Sequence, residues 1–301
     1  MSQEKSISIP AKLIATLIDL PTKVIDPTCQ NIPLNEISNS SNPIWIRTLD
    51  NQFCGAIQDS NDSHLVQVMI QKRSKEGKPI LFQQGIEGKT YYLIGFRMAY
   101  HFLPVEIFSV EFTSGNYRIP RLIWSPADCS GLELKKIVEK AKTIAPNLPT
   151  GYYGVLLEFV ADTQDIHLSF LHTFSQTDEV MTQVCKLASG MNLQEISETV
   201  EKQGIPTATP TRELGCVAAW IIPNSGIVQS IQGIEKVQTM EGIKEINIKI
   251  EEGNTLTHIV DIPSRDRIGY VIAVGPDSFT AKNRALSAIS QIKIKTQNII
   301  L

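Results

Sequence analysis

Cysteine motifs, an excess of either charge and long apolar runs are all missing from this sequence. Its five cysteines, Cys29, Cys54, Cys129, Cys185 and Cys216, are scattered, with no C-x-x-C pair. That pattern offers neither a zinc site nor a disulfide framework, fits a reducing cytosol, and leads us to expect a cytoplasmic location. Lys and Arg number 28 against 31 Asp and Glu, a net charge of −3. Neither nucleic acid nor an anionic membrane is therefore expected as the main partner. No apolar run approaches the roughly 18 residues of a membrane helix. The N-terminus, MSQEKSISIPAKLIATLIDLP, has no compact apolar stretch behind a basic start and no small-residue cleavage site, so we read no signal peptide. The Ser, His and Cys residues form no nucleophile–base motif. Asp59–Asp62 and Asp162–Asp165 read as turn residues rather than as a calcium loop.

What is present is an ordinary globular composition, 301 residues with 42% hydrophobic, enough for one large domain or two of average size. The chain centres on Gly151–Thr173, which reads as a β-hairpin. Val155–Val160 forms an apolar arm, Ala161–Asp165 a polar turn, and Ile166–Phe174 the return arm. Glu158 interrupts the first arm. A carboxylate in an apolar strand is costly to bury unless something pairs with it, so Glu158 is either a metal or substrate ligand or a residue at a strand edge.

Around the hairpin, Ala11–Ile18 reads as a short helix ended by Pro21, Thr22–Asp26 as a strand, Gln30–Asn42 as a polar loop, and Pro43–Arg47 as a strand. Asp62–Lys75 has the spacing of a helix with one buried face. Lys78–Gly88 is a strand and turn, Tyr91–Phe96 a strand, and Met98–Ile123 two or three strands with a turn at Ser114–Asn116. Asp128–Ala145 is the clearest helix, and Thr177–Gly204 is helical with a break at Ser189–Gly190. Ile205–Glu213 reads as a linker loop. Beyond it come strands at Cys216–Ile222, Ile227–Ile231, Ile243–Ile250, Thr257–Ile262 and Arg267–Gly275. Asp277–Ser278 then caps a helix over Phe279–Lys293.

The G-x-x-x-E-F arm and the polar turn resemble the metal-binding hairpin of ATP-grasp ligases. So does the order of a helix carrying Lys12, then L-P-T, a strand and P-I-W-I-R. Ala188–Leu193, followed by Ile196 and Val200, is similar to a helix pair of the biotin carboxylase and carbamoyl phosphate synthetase branch. The run R-x-G-Y-V-I-A-x-G, with the helix after it, resembles the C-terminal subdomain of the carboxylate–amine ligases. The resemblance implies an α+β ATP-grasp fold of two α/β subdomains with mainly antiparallel sheets. Its implied parts are a linker helix and first strand over 1–42, a nucleotide-lid subdomain over 43–97, a central subdomain over 98–213 and a C-terminal subdomain over 214–301. It further implies phosphate contacts from Lys12 and Arg47, an adenine hinge over Phe82, Gln83, Gln84, Gly85 and Ile86, and Thr90 at the ribose position. Glu158 would be the Mg²⁺ ligand, with ATP and Mg²⁺ the cofactors of a working site.

The same comparison exposes departures. The return arm, Leu168–Phe174, has no Glu followed two residues later by Asn, which in that family hold Mg²⁺. His172 falls near the Asn position, but imidazole is a poor Mg²⁺ ligand. The loop that should cradle phosphates, Leu49–Gln58, has only Gly55. The family's N-terminal substrate domain has no counterpart in the resemblance, which starts near residue 10. We therefore expect a degenerate ATP-grasp protein, a non-catalytic or auxiliary subunit that is a homo-oligomer or works with a partner chain supplying the missing domain. The alternative is an active ATP-dependent ligase forming a C–N bond at an atypical site.

Overall fold

The computed structural model describes residues 9–25, 43–49, 54–57, 79–114, 118–256 and 268–297. The loop expected over Gln30–Asn42, the helix over Asp62–Lys75, the strand over Thr257–Ile262 and the turn residues Gly115 and Asn116 lie outside them. In chain order the strands are β1 (Thr22–Ile25), β2 (Ile44–Thr48), β3 (Cys54–Ile57), β4 (Ile80–Gln84), β5 (Lys89–Ala99), β6 (His101–Phe112), β7 (Pro120–Ser125) and β8 (Gly151–Ala161). There follow β9 (Ile166–Phe174), β10 (Gly215–Trp220), β11 (Gly226–Gln232), β12 (Ile243–Ile248), β13 (Thr255–Leu256), β14 (Gly269–Gly275) and β15 (Lys293–Gln297). The helices are α1 (Ala11–Leu17), α2 (Gly131–Ile144), α3 (Glu179–Ser189), α4 (Leu193–Glu201), α5 (Ile234–Gln238) and α6 (Ser278–Gln291).

The central hairpin forms as its pattern predicts. The turn is held by Asp162, whose Oδ1 accepts from the backbone N–H of Gln164 at 2.7 Å and of Asp165 at 2.8 Å. A side chain that bonds the backbone two and three residues on is the usual way Asp fixes a turn. β8 is buried from Tyr153 to Ala161 because it is covered on both faces. It pairs with β5 along its whole length and so enters an eight-stranded antiparallel sheet ordered β12-β14-β10-β7-β6-β5-β8-β9. That sheet includes β10, β12 and β14 from beyond residue 214.

Helices cover both faces. α2 starts with a reciprocal cap: Glu133 N–H donates to Ser130 Oγ, and Ser130 N–H donates to Glu133 Oε2. It sets Ile137 and Ala141 against Leu157, Phe159, Leu168 and Phe170. On the other face, α3 is capped by Asp178 and ended by Gly190 at φ +82, and α4 is capped by Asn192. These two bring Val184, Cys185 and Val200 onto Phe96, Phe108 and Leu156. α6 lays Ala281 and Ala285 on Val217 and Ala273 of β10 and β14.

Beside this body stands a four-stranded sheet, β1-β4-β2-β3. Its residues alternate with the two-residue period of a strand. Ile44, Ile46, Ile57, Ile80 and Phe82 form a small core of their own, while Trp45 and Leu81 join the large core under the central hairpin. Arg47 and Gln83 follow the second set and reach the hairpin as well.

The structure adds elements that periodicity did not mark. Asp19 secures the edge of β9, its N–H donating to Leu168 O at 3.0 Å and its Oδ2 accepting from Leu168 N–H at 2.7 Å. The last helix stops at Gln291, two residues short of the expected end, because Lys293–Gln297 pairs with β11 as β15. α5 was not anticipated either.

Candidate functional site

Where the four-stranded sheet meets the hairpin, Glu158 lies inside a cage of cations. Arg47 grips it with both arms, Nη1 donating to Oε2 at 3.0 Å and Nη2 to Oε1 at 2.6 Å. Arg118 Nη2 donates to the same Oε1 at 3.2 Å and to Thr90 Oγ1 at 3.0 Å. Ser169 Oγ, across the ladder on β9, donates to Oε1 at 2.8 Å. The side chains of Arg47 and Glu158 are each 2% exposed. Two-armed guanidinium–carboxylate pairing of this kind is the strong geometry for such a pair. Burial alone would raise the Glu158 pKa, but Arg47, Arg118 and the Ser169 hydroxyl outweigh it and hold the pKa at about 2. Glu158 is therefore a carboxylate at neutral pH, and with two guanidiniums the cluster carries one net positive charge.

Aromatic rings frame the cations. The Arg118 guanidinium carbon lies 4.3 Å from the Trp45 ring centroid and 3.8 Å from that of Phe112. That of Arg47 lies 5.1 Å from Trp45 and 5.2 Å from Phe170. These are cation–π distances, stronger where water is excluded.

The segment expected as a hinge lies next to this cluster, and its backbone is already bonded. Gln84 N–H donates to Pro21 O at 2.9 Å and Gly85 N–H to Pro43 O at 2.7 Å. A Cβ on Gly85 would stand 2.5 Å from Trp45 Nε1, so the glycine is what admits the indole. Trp45 is 4% exposed. Gln83 is buried and turned inward, Nε2 donating to Ser169 O at 2.7 Å and to Thr22 Oγ1 at 3.3 Å. Phe82 points the other way, into the small core of its own sheet, and Ile86 packs against the large core.

Of the residues expected at the site, the fold thus brings together Arg47, Thr90 and Glu158, with Gln83 and Gly85 adjoining. Lys12 lies exposed in the first turn of α1, and among the described residues no hydrogen bond or ion pair joins it to the cluster. His172 stands opposite Leu156 in the ladder, whereas Glu158 stands opposite Phe170. Sequence reasoning did not pick out Arg118, Ser169 or Trp45. Arg118 lies 40 positions from Glu158 and Arg47 lies 111. Only for Trp45 was there a signal, since it shares a strand face with Arg47.

On the far side of Arg118 a cleft of about 370 Å³ opens. Val110, Phe112 and Trp124 supply apolar wall, and Lys89 and Lys282 bring further positive charge.

Comparison with known proteins places this architecture. Residues 219–297 match the family described as L-amino acid ligase C-terminal domain 2. A search of the curated proteins found no match. Among solved structures, the L-amino acid ligase of Bacillus licheniformis superposes with a TM-score of 0.69 at 13% identity, over 92% of this chain and 68% of that one. The carboxyaminoimidazole ribonucleotide synthase of Aspergillus clavatus, complexed with ATP, gives 0.65 at 11% identity, over 90% and 69%. The N5-carboxyaminoimidazole ribonucleotide synthetase of Thermotoga maritima gives 0.62 at 13% identity, over 94% and 69%. The chain has the α+β ATP-grasp fold.

Proposed function

We propose that this chain is a ligase-fold protein that does not turn over Mg·ATP and acts as a non-catalytic or auxiliary subunit of a larger assembly. The observation that carries this reading is the cage around Glu158. Mg²⁺ prefers about six oxygen ligands and is usually held by one or two carboxylates plus phosphate oxygens. Here Arg47 and Arg118 already supply two positive charges to Glu158, and N–H and O–H donors engage both of its oxygens. A cation would have to displace them. Among the described residues no group of three His, Cys, Asp or Glu could hold a metal. The residues in place do not fit a Mg²⁺ ion there.

Two further features support the same reading. Trp45, a planar bicycle, stands against Gly85 of the expected hinge. The hinge N–H groups of Gln84 and Gly85 donate within the protein. On this reading the residues expected to meet base, phosphate and metal, Lys12 apart, are engaged with partners inside the chain.

The alternative, an active ATP-dependent carboxylate–amine ligase, draws support from the L-amino acid ligase match over 219–297 and from the ATP complex of the Aspergillus neighbour. The two readings separate in one assay. The purified chain is incubated with Mg·ATP and a mixture of amino acids, and ADP is measured. We expect none. Magnesium-dependent ADP with matching amide product would overturn the proposal. Its second half is tested by native mass measurement of the chain at its own cellular level, where we expect a complex above monomer mass; a monomer would overturn that half.

A further inference from the structure

We propose that the outer edge of β12 is the face on which this chain pairs with a second copy of itself, strand to strand and antiparallel. The inference rests on the reading above in that it names the other member of the assembly. β12 and β9 are the two edges of the eight-stranded sheet. The β9 edge is covered at Leu168, whose N–H and C=O both bond Asp19. Beyond β12, among the described residues, no strand is paired. A bulge between Ile243 and Glu245 ends the regular ladder to β14 at one side. At the other, past the pair Ile248–Gly269, Lys249 N–H donates to Ile268 O at 3.0 Å. Inward and outward groups alternate along an antiparallel ladder, so the N–H and C=O of Ile246 and Ile248 point away from β14. Such a row of unpaired groups is a template for another strand.

The residues of the edge say which strand fits. Two copies of residues 245–249 can be set antiparallel about a two-fold axis at Asn247. Ile246 of each copy then lies opposite Ile248 of the other, and all four outward backbone groups of each copy find partners. Both isoleucines are partly buried on the α6 side, beside Ile289 and Ile292, so the pairing extends an apolar surface already present. Glu245, Asn247 and Lys249 alternate onto the opposite face. There Asn247 meets Asn247, and Glu245 of each copy meets Lys249 of the other. Lys249 is exposed and forms no ion pair among the described residues. Glu245 accepts from the Tyr270 hydroxyl at 2.7 Å through Oε1. Opposite charges directly across a ladder are favourable, and like charges are not. β15, an edge of the small sheet, exposes Lys293 and Lys295 and has no such match to itself. Five residue pairs are a small contact beside the roughly 800 Å² per partner of a standard interface, so we expect a dissociation constant on the order of micromolar.

The test is sedimentation equilibrium of the purified full chain across micromolar concentrations. We expect a monomer–dimer equilibrium that approaches twice the chain mass. Lys249→Glu turns both cross-copy pairs to like charge and should raise the dissociation constant on the order of tenfold, and Glu245→Lys should do the same. Mixed one to one, the two variants again set opposite charges across the junction, so the mixed dimer should form with about the wild-type affinity. A variant that is merely less stable gives no such recovery in its partner. A monomeric wild type, an unchanged dissociation constant in Lys249→Glu, or no recovery when the two folded variants are mixed would each overturn the proposal. A wild-type chain that stays monomeric alone but joins a different chain would overturn it and leave the auxiliary-subunit reading in place. Magnesium-dependent ADP formation by a chain that dimerises as described would overturn that reading and leave this interface standing.

Discussion

Replacing Glu158 by Gln keeps the shape of the buried cluster and removes its only negative charge. Arg47, 1% exposed, would then face Arg118 across a neutral amide. Two routes give the size of the effect. Breaking a buried ion pair by removing one partner costs about 3–5 kcal/mol. Independently, a Glu158 pKa held at about 2 instead of 4.5 is about 2.5 decades in proton affinity, or about 3 kcal/mol at 1.36 kcal/mol per decade. The Gln carbonyl still accepts one bond from Arg47, which favours the lower end of that range. The pH dependence follows from the sign. The folded-state pKa lies below the unfolded value, so this stabilisation is fully present above about pH 4.5 and is lost as pH falls through about 2. Urea denaturation of wild type and Glu158→Gln at pH 7, 5, 4 and 3 reads both. We expect a gap of about 3 kcal/mol at pH 7 that narrows steadily below pH 4.5. A gap under about 1 kcal/mol at pH 7, or one that does not change down to pH 3, would refute the cage as described.

Further outcomes follow from the same packing. Gly85→Ala drives a Cβ to 2.5 Å from Trp45 Nε1 and should cost about 1–3 kcal/mol; combining it with Trp45→Phe should recover part of that loss, and simple additivity in a denaturation cycle would count against the contact. Arg97 is 2% exposed, and its Nε and Nη1 have no hydrogen-bond partner among the described residues, so Arg97→Met should raise the melting temperature. A lowered one would mean that Arg97 carries an interaction this packing does not account for.

Much of the fold was legible because local chemistry enforces it. The Asp162 turn, the Ser130–Glu133 cap, the αL glycine at 190 and the two-residue alternation of β2 and β4 are each decided within a few residues. The site was legible in part. Glu158 stood out as a carboxylate that burial would penalise unless something paired with it, and it is paired. Its partners come from 40 and 111 positions away, and nothing near Arg118 or Arg47 in sequence announces the meeting. Ser169 and Asp19 act through single bonds across strands, which no periodicity encodes. Lys293–Gln297 was absorbed into the preceding helix because its apolar spacing could continue the helical stripe; pairing with β11 decides otherwise.

The central claim is that the chain satisfies its own nucleotide site, and isothermal titration of the purified protein with ATP, with and without Mg²⁺, tests it most directly. The account predicts no measurable binding in either condition, because the hinge N–H groups of Gln84 and Gly85 and both oxygens of Glu158 are engaged within the protein. Magnesium-dependent binding in the micromolar range would contradict it and would mean that Glu158 leaves its arginines for the metal.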